Sequence, residues 1–223
     1  VLELGGYVAG PFASQILANL GADIIKIESF DGDPTRKMVR GGPGGTFVAY
    51  SRNKRGVCID LRSPDARPIF ERLLRSADVI LHNLSPDATR RLKLTHDDCY
   101  AINPNVIYCH IRAYGPGPLE NEIASNPIIE ASTGAMFDNK INGRPTRLGP
   151  SYHDMFAGSY AVIGILVAFS SGRTDKASRL VEVGLYETGL HVAARDFVGE
   201  QLKAQLSPET RKTLPAEFSK PGY

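Results

Sequence analysis

The 223-residue sequence has no tryptophan and only three cysteines, Cys58, Cys99 and Cys109. They form no C-x-x-C pair and have no histidine at ligand spacing, so neither a disulfide framework nor a zinc module is expected. An odd count without a framework points to a reducing compartment, hence a cytoplasmic protein. Cys58 and Cys109 lie in apolar, strand-like runs and are predicted to pack in the core. Long apolar runs are missing too. The longest, 161–169, falls well short of the ~20 residues of a membrane span, and no leader-like segment opens the chain. Neither sign of charge dominates: the net charge of +2 comes from scattered basic residues, which argues against a nucleic-acid partner. The G-x-G-x-x-G, Walker and G-x-S-x-G signatures are absent. The opening turn "GGYVAGPFA" has glycines, but Gly5, Gly6 and Gly10 are wrongly spaced for a dinucleotide. Of the histidines, His82 and His110 sit in apolar strands as predicted core groups, and no pair has zinc spacing, so no metal is expected.

What is present is a recurring strand–helix alternation. Residues 1–4 read as a strand and 12–20 as a helix with Pro11 in its first turn; Gly21 stops it, and "ADIIKIE" is a second strand. "GVCIDL", "DVILHNL" and "VIYCHIRAYG" are further strands. Between them run a helix "SPDARPIFERLLRSA" with Ser63 as its N-cap and two short helices opened by Ser85 and Thr95. Short βαβ units predict an α/β fold: an open, Rossmann-like parallel sheet with helices on both faces. Beyond "GPGPLENEIASNP" the texture becomes loop. A long helix over 155–170, a strand "SRLVEVGL" and a second long helix over 186–205 follow. The chain starts at Val1 inside a strand and stops in the polar "LPAEFSKPGY", which suggests part of something longer. The division expected is a large domain over 1–185, with 186–223 leading toward a smaller second domain.

Two features carry chemistry. Arg52, Lys54, Arg55 and Arg62 crowd one short strand, and Arg90 and Arg91 follow the strand ending at Asn83. This is either a solvated edge or a cradle for phosphates, since ligands of open α/β sheets settle beyond the strands' carboxyl ends. Asp154 opens the apolar segment "HDMFAGSYAVIGILVAF". It reads either as a helix N-cap, where the dipole keeps it ionised, or as a covalent nucleophile.

The stretches "VAGPFASQILANLGADIIKIE", "GDPTR", "NKRGVCIDL", "ADVILHNLSPDATRRL", "NPNVIYCHIRAYGPGP" and "HDMFAGSYAVIGILVAF" resemble the family III coenzyme A transferases, in the family's order and across nearly all of the chain. The family also includes 2-methylacyl-CoA racemases. The resemblance implies an acyl-CoA:carboxylate CoA-transferase built as an interlocked homodimer. Its substrates would be an acyl-CoA, with coenzyme A as carrier, and a small carboxylic acid, and Asp154 would be its nucleophile. Carried over by position, Val8 and Ala9 meet the pantetheine, Arg36 the nucleotide end, and Ile59 and Arg62 the adenine and phosphates. Asn83, Leu84, Ala88, Arg91 and Leu92 match the CoA-contacting run after the fourth strand. Gly6 and Val8 replace the histidine and glutamine of formyl-CoA transferases, which argues against oxalate. A lysine that some members place near CoA falls at Ala124. Ser125 stands where the racemases have a histidine, so racemisation lacks a second proton carrier unless His153 supplies it. The remaining alternative is a non-catalytic CoA-binding relic.

Overall fold

The computed structural model describes residues 1–39, 42–173 and 175–213. Strands β1 (Leu2–Leu4), β2 (Ile25–Glu28), β3 (Arg55–Cys58), β4 (Val79–His82) and β5 (Ile107–Arg112) alternate with helices. These are α1 (Ala9–Asn19), α2 (Gly45–Tyr50), α3 (Ala66–Arg75), α4 (Pro86–Arg91) and α5 (His96–Ile102). Then come α6 (Asn126–Ser132), α7 (Ala135–Asp138), the hairpin β6 (Lys140–Ile141) and β7 (Arg144–Pro145), α8 (Tyr152–Ser170) and β8 (Leu180–Gly184). Helices α9 (Leu185–Val192), α10 (Ala194–Gln205) and α11 (Pro208–Thr213) end the described chain, so the last ten residues of the predicted 186–223 segment lie outside it.

The main sheet has six parallel strands in the order β3-β2-β1-β4-β5-β8. Period-two alternation explains why both faces are covered. Val79, Leu81, Ile107, Cys109 and Ile111 join the core beneath α1 and α8, while Ile80 and Tyr108 point to the opposite core with Phe70 and Leu74 of α3. The order reverses between β1 and β4, and a crevice opens beyond their carboxyl ends there.

β1 departs from the apolar rule at Glu3, which is fully buried. Its register partner on β2 is Lys26, whose Nζ lies 2.6 Å from Glu3 Oε1 and 3.0 Å from Asp33 Oδ2. Lys54 Nζ takes the other Glu3 oxygen at 2.8 Å and also donates to Pro11 O and Ser14 Oγ. Two lysines and two carboxylates thus neutralise one another inside the protein, which is how such charges are tolerated there.

Several elements differ from expectation. α1 begins at Ala9, three residues early, and Pro11 remains in the first turn, where N–H groups have no intrahelical acceptor. Ser63 is not a cap: residues 63–65 form a turn, and α3 starts at Ala66 without a side-chain cap. The long helix predicted over 186–205 is interrupted at Ala193. Cys58 is exposed because β3 is an edge strand, whereas Cys109 is buried.

α8 is long and apolar enough to cross a membrane by length and composition, with a mean hydropathy of 1.3. In the fold it packs on α1, β5, β8 and α9, burying Ala157, Gly158, Ala161, Val162 and Ile165. Gly158 is required by the approach of α1: a Cβ there would stand 2.9 Å from Ala9 O and 3.0 Å from Phe12.

Candidate active site

The crevice at the strand-order reversal is a cleft of about 1310 Å³. That is larger than a typical small-ligand pocket and suits an extended ligand. Val8 and Ala9 line it at the start of α1, Ile59 and Arg62 beyond β3, and Asn83 and Leu84 beyond β4. Ala88 and Arg91 of α4 and the adjoining Leu92 add a wall, and Asp154 of α8 also lines it. Ten of the eleven residues predicted for the site therefore share one cavity.

Arg36 is the eleventh, and it is not among the lining residues. Its guanidinium makes two 2.7 Å bonds to Glu28 and lies 3.8 Å from the Phe47 ring centroid. The four-cation cluster around β3 also disperses. Lys54 belongs to the buried charge network, Arg55 pairs with Asp23, and of the four only Arg62 lines the cleft. Arg62 is itself paired with Asp60 at 2.8 and 3.0 Å, whereas Arg91 makes no ion pair or hydrogen bond among the described residues.

The glycine turn between β1 and α1 is shaped by Asn83. The Asn83 side chain accepts from Gly6 N–H and donates to Gly6 O, both at 2.9 Å. A Cβ on Gly10 would stand 2.9 Å from Asn83 Oδ1, so this glycine serves the close approach of strand and turn. The α4 wall is held from below. Tyr108 Oη donates to Leu94 O at 2.9 Å, so His82 Nε2, 2.7 Å from Tyr108 Oη, is the donor to that hydroxyl. His110 Nε2 donates to Leu84 O at 2.9 Å. Both buried histidines are held neutral, burial pushing His110 down to about 4 and His82 well below its ordinary range.

Asp154 is the third residue of α8, not its cap, because the helix starts at Tyr152. The side-chain oxygen of Asn126 accepts the backbone N–H groups of His153 and Asp154 at 3.0 and 3.3 Å, doing the work of a cap from another helix. The Asp154 carboxylate itself has no hydrogen-bond partner among the described residues. Burial, with the neighbouring Glu130 charge adding to it, pushes its carboxyl up to about 7. The helix dipole expected to keep it ionised is outweighed.

Glu130 was not anticipated. It is fully buried on α6, accepting from Asn126 Nδ2 through Oε1 and from Leu148 N–H at 3.2 Å through Oε2. Arg147 Nε lies 3.7 Å from Oε2. The signal was an amide and an acid four apart in "NPIIEAS", one turn of a short helix. His153 turns away from the cleft: it is buried, with Nε2 3.3 Å from Thr133 Oγ1. It cannot face Asp154 across a substrate.

The arrangement offers a carboxylate with no hydrogen-bond partner among the described residues, in a cleft also lined by Arg62, Arg91, Arg112 and Arg147. A family model described as CoA-transferase family III matches residues 1–218. Among curated proteins, the succinyl-CoA–D-citramalate CoA-transferase of Chloroflexus aurantiacus is 33% identical over 96% of this chain and 55% of its own length. The succinate–glutarate CoA-transferase of Agrobacterium fabrum is 31% identical over 87% of this chain and 52% of its own. A formyl-CoA:oxalate CoA-transferase of Streptomyces avermitilis is 31% identical over 86% of this chain and 48% of its own. Among solved structures, a CAIB/BAIF family protein from Brucella suis superposes with a TM-score of 0.81 at 30% identity, covering 93% of this chain and 57% of that one. This chain thus spans about half the length of the curated relatives it matches. On the family match and these likenesses, the chain belongs to CoA-transferase family III.

Proposed function

We propose that this chain supplies the nucleophile and the CoA-binding cleft of an acyl-CoA:carboxylate CoA-transferase. The Asp154 carboxylate attacks the thioester carbonyl; the C–S bond breaks, leaving an acyl–aspartyl anhydride and CoA thiolate. The thiolate attacks the aspartyl carbonyl and expels the first acid, so that Asp154 carries CoA as a thioester. An incoming carboxylate attacks that thioester and frees the thiolate again. Attack of the thiolate on the new acyl group forms the product and restores Asp154. Each step exchanges acyl groups of similar activation, so the protein's task is positioning and exclusion of water.

The single observation that carries this reading is the unpartnered Asp154 carboxylate opening into the cleft. A cap would have its oxygens on backbone N–H groups; here Asn126 performs that service. Support also comes from the relatives, which are named for CoA transfer between carboxylic acids, several of them dicarboxylic. The reading includes CoA as carrier without a metal, a homodimer, residues 186–223 leading toward a smaller second domain, and a cytoplasmic setting. Sedimentation tests the dimer.

Incubation with an acyl-CoA followed by hydroxylamine is expected to convert Asp154 to the hydroxamate, read by peptide mass spectrometry. Asp154→Ala is expected to abolish turnover while CoA affinity stays within about twofold. Retained turnover in that variant overturns the nucleophile assignment.

A further inference from the structure

Among the described residues, two arginines of the cleft leave their terminal nitrogens without a hydrogen bond: Arg91 on α4 and Arg147, which approaches Glu130, the acid whose charge acts on Asp154. Arg62 is bound to Asp60, and Arg112 is bound to Glu182 at 3.1 Å and Glu120 O at 2.9 Å. Arg147 is different. It lines the cleft with its side chain 47% exposed, and its only charged contact among the described residues is the 3.7 Å approach of Nε to Glu130. Both Glu130 oxygens already accept shorter bonds, from Asn126 Nδ2 and Leu148 N–H. The two terminal nitrogens of Arg147, the fork that grips a carboxylate, therefore have no partner among the described residues.

Its place relative to the nucleophile follows from α6. Asn126 and Glu130 stand one turn apart, a rise of about 6 Å at 1.5 Å per residue. The Asn126 end holds the Asp154 backbone and the Glu130 end holds Arg147. Because Arg147 and the Asp154 backbone are both held by the Asn126–Glu130 pair and both residues line the cleft, we propose that Arg147 binds the second carboxylate of a short-chain dicarboxylic acid while the first reacts at Asp154. Arg147 is thus the residue that selects dicarboxylic over monocarboxylic acceptors. The inference rests on the transferase reading and adds its substrate class.

The test compares succinate with butyrate, the same chain length without the distal charge, as acceptors from one acyl-CoA donor in the full-length protein. Wild type is expected to show a KM for succinate at least tenfold below that for butyrate. Arg147→Gln is expected to raise the succinate KM at least tenfold, leave the butyrate KM within twofold and change kcat little. Arg147→Lys, which keeps the charge but not the fork, is expected to fall between. Competition needs no variant: succinate should displace butyrate from wild type at tenfold lower concentration. Equal rises for both acids, or a wild type that uses butyrate as well as succinate, overturn the inference alone. A wild type whose Asp154 is never acylated overturns the transferase reading and this inference with it.

Discussion

At pH 8 the Asp154 side chain is charged where burial and Glu130 disfavour charge, and the folded state bears that cost. The sign follows from proton linkage. With its carboxyl at about 7 in the fold against an unfolded value of 3.8, the folded protein holds more protons between those pH values, so stability falls as pH rises through that window. Asp154→Asn is therefore expected to be more stable than wild type by about 2 kcal/mol at pH 8, with the advantage gone near pH 4, as read by thermal unfolding across pH. Turnover of wild type should rise through pH 7 as the nucleophile ionises. The place of Asp154 in the first turn of an apolar helix was legible in the sequence; its raised proton affinity was not. That depends on Glu130, which reaches the same place from a helix distant in the chain. Lys54 was misread for the opposite reason. Its neighbours in sequence are exposed cations, but its side chain runs inward to Glu3, fifty-one residues away.

At the scale of elements, α4 is held in place by side chains of the sheet. The carbonyls on either side of it, Leu84 O and Leu94 O, are held by His110 and by the His82–Tyr108 pair. Tyr108→Phe leaves Leu94 O and His82 Nε2–H unpaired, at a cost of about 1–3 kcal/mol in stability. It is expected to raise the Kd for CoA several-fold with kcat at saturation unchanged, measured by calorimetry and steady-state rates. Caps of α4 and α5 were readable because Ser85 and Thr95 act within their own turns: Ser85 Oγ accepts from Ala88 N–H, and Thr95 forms a reciprocal capping box with Asp98. Ser63 offered the same local pattern, yet the chain turns once more before α3. The break at Ala193 has no glycine or proline to announce it, and the "NG" of the β6–β7 hairpin passed as loop although Asn142 and Gly143 both take positive φ (52° and 75°).

On the scale of the whole molecule, the parallel order β3-β2-β1-β4-β5-β8 gathers segments far apart in sequence around one crevice. The order was legible only as a class. Strand–helix alternation implies a parallel sheet, but nothing local says which strands are neighbours. Arg62 and Arg91 lie on different segments of that crevice. Arg91→Ala is expected to weaken CoA binding by about 1–3 kcal/mol. Arg62→Ala should cost less, because Asp60 already engages its guanidinium; unchanged affinity in both, measured by calorimetry, removes the phosphate cradle. The same economy of space governs where two helices cross. Hydrogen in place of a methyl at Gly158 lets α8 lie on the backbone of Ala9. That contact spaces Asp154, a turn before the glycine, from the Ala9 stretch of the cleft wall. The gauge of the gap beside Asp154 is thus written in a residue that offers no functional group at all, and any bulkier occupant would widen it.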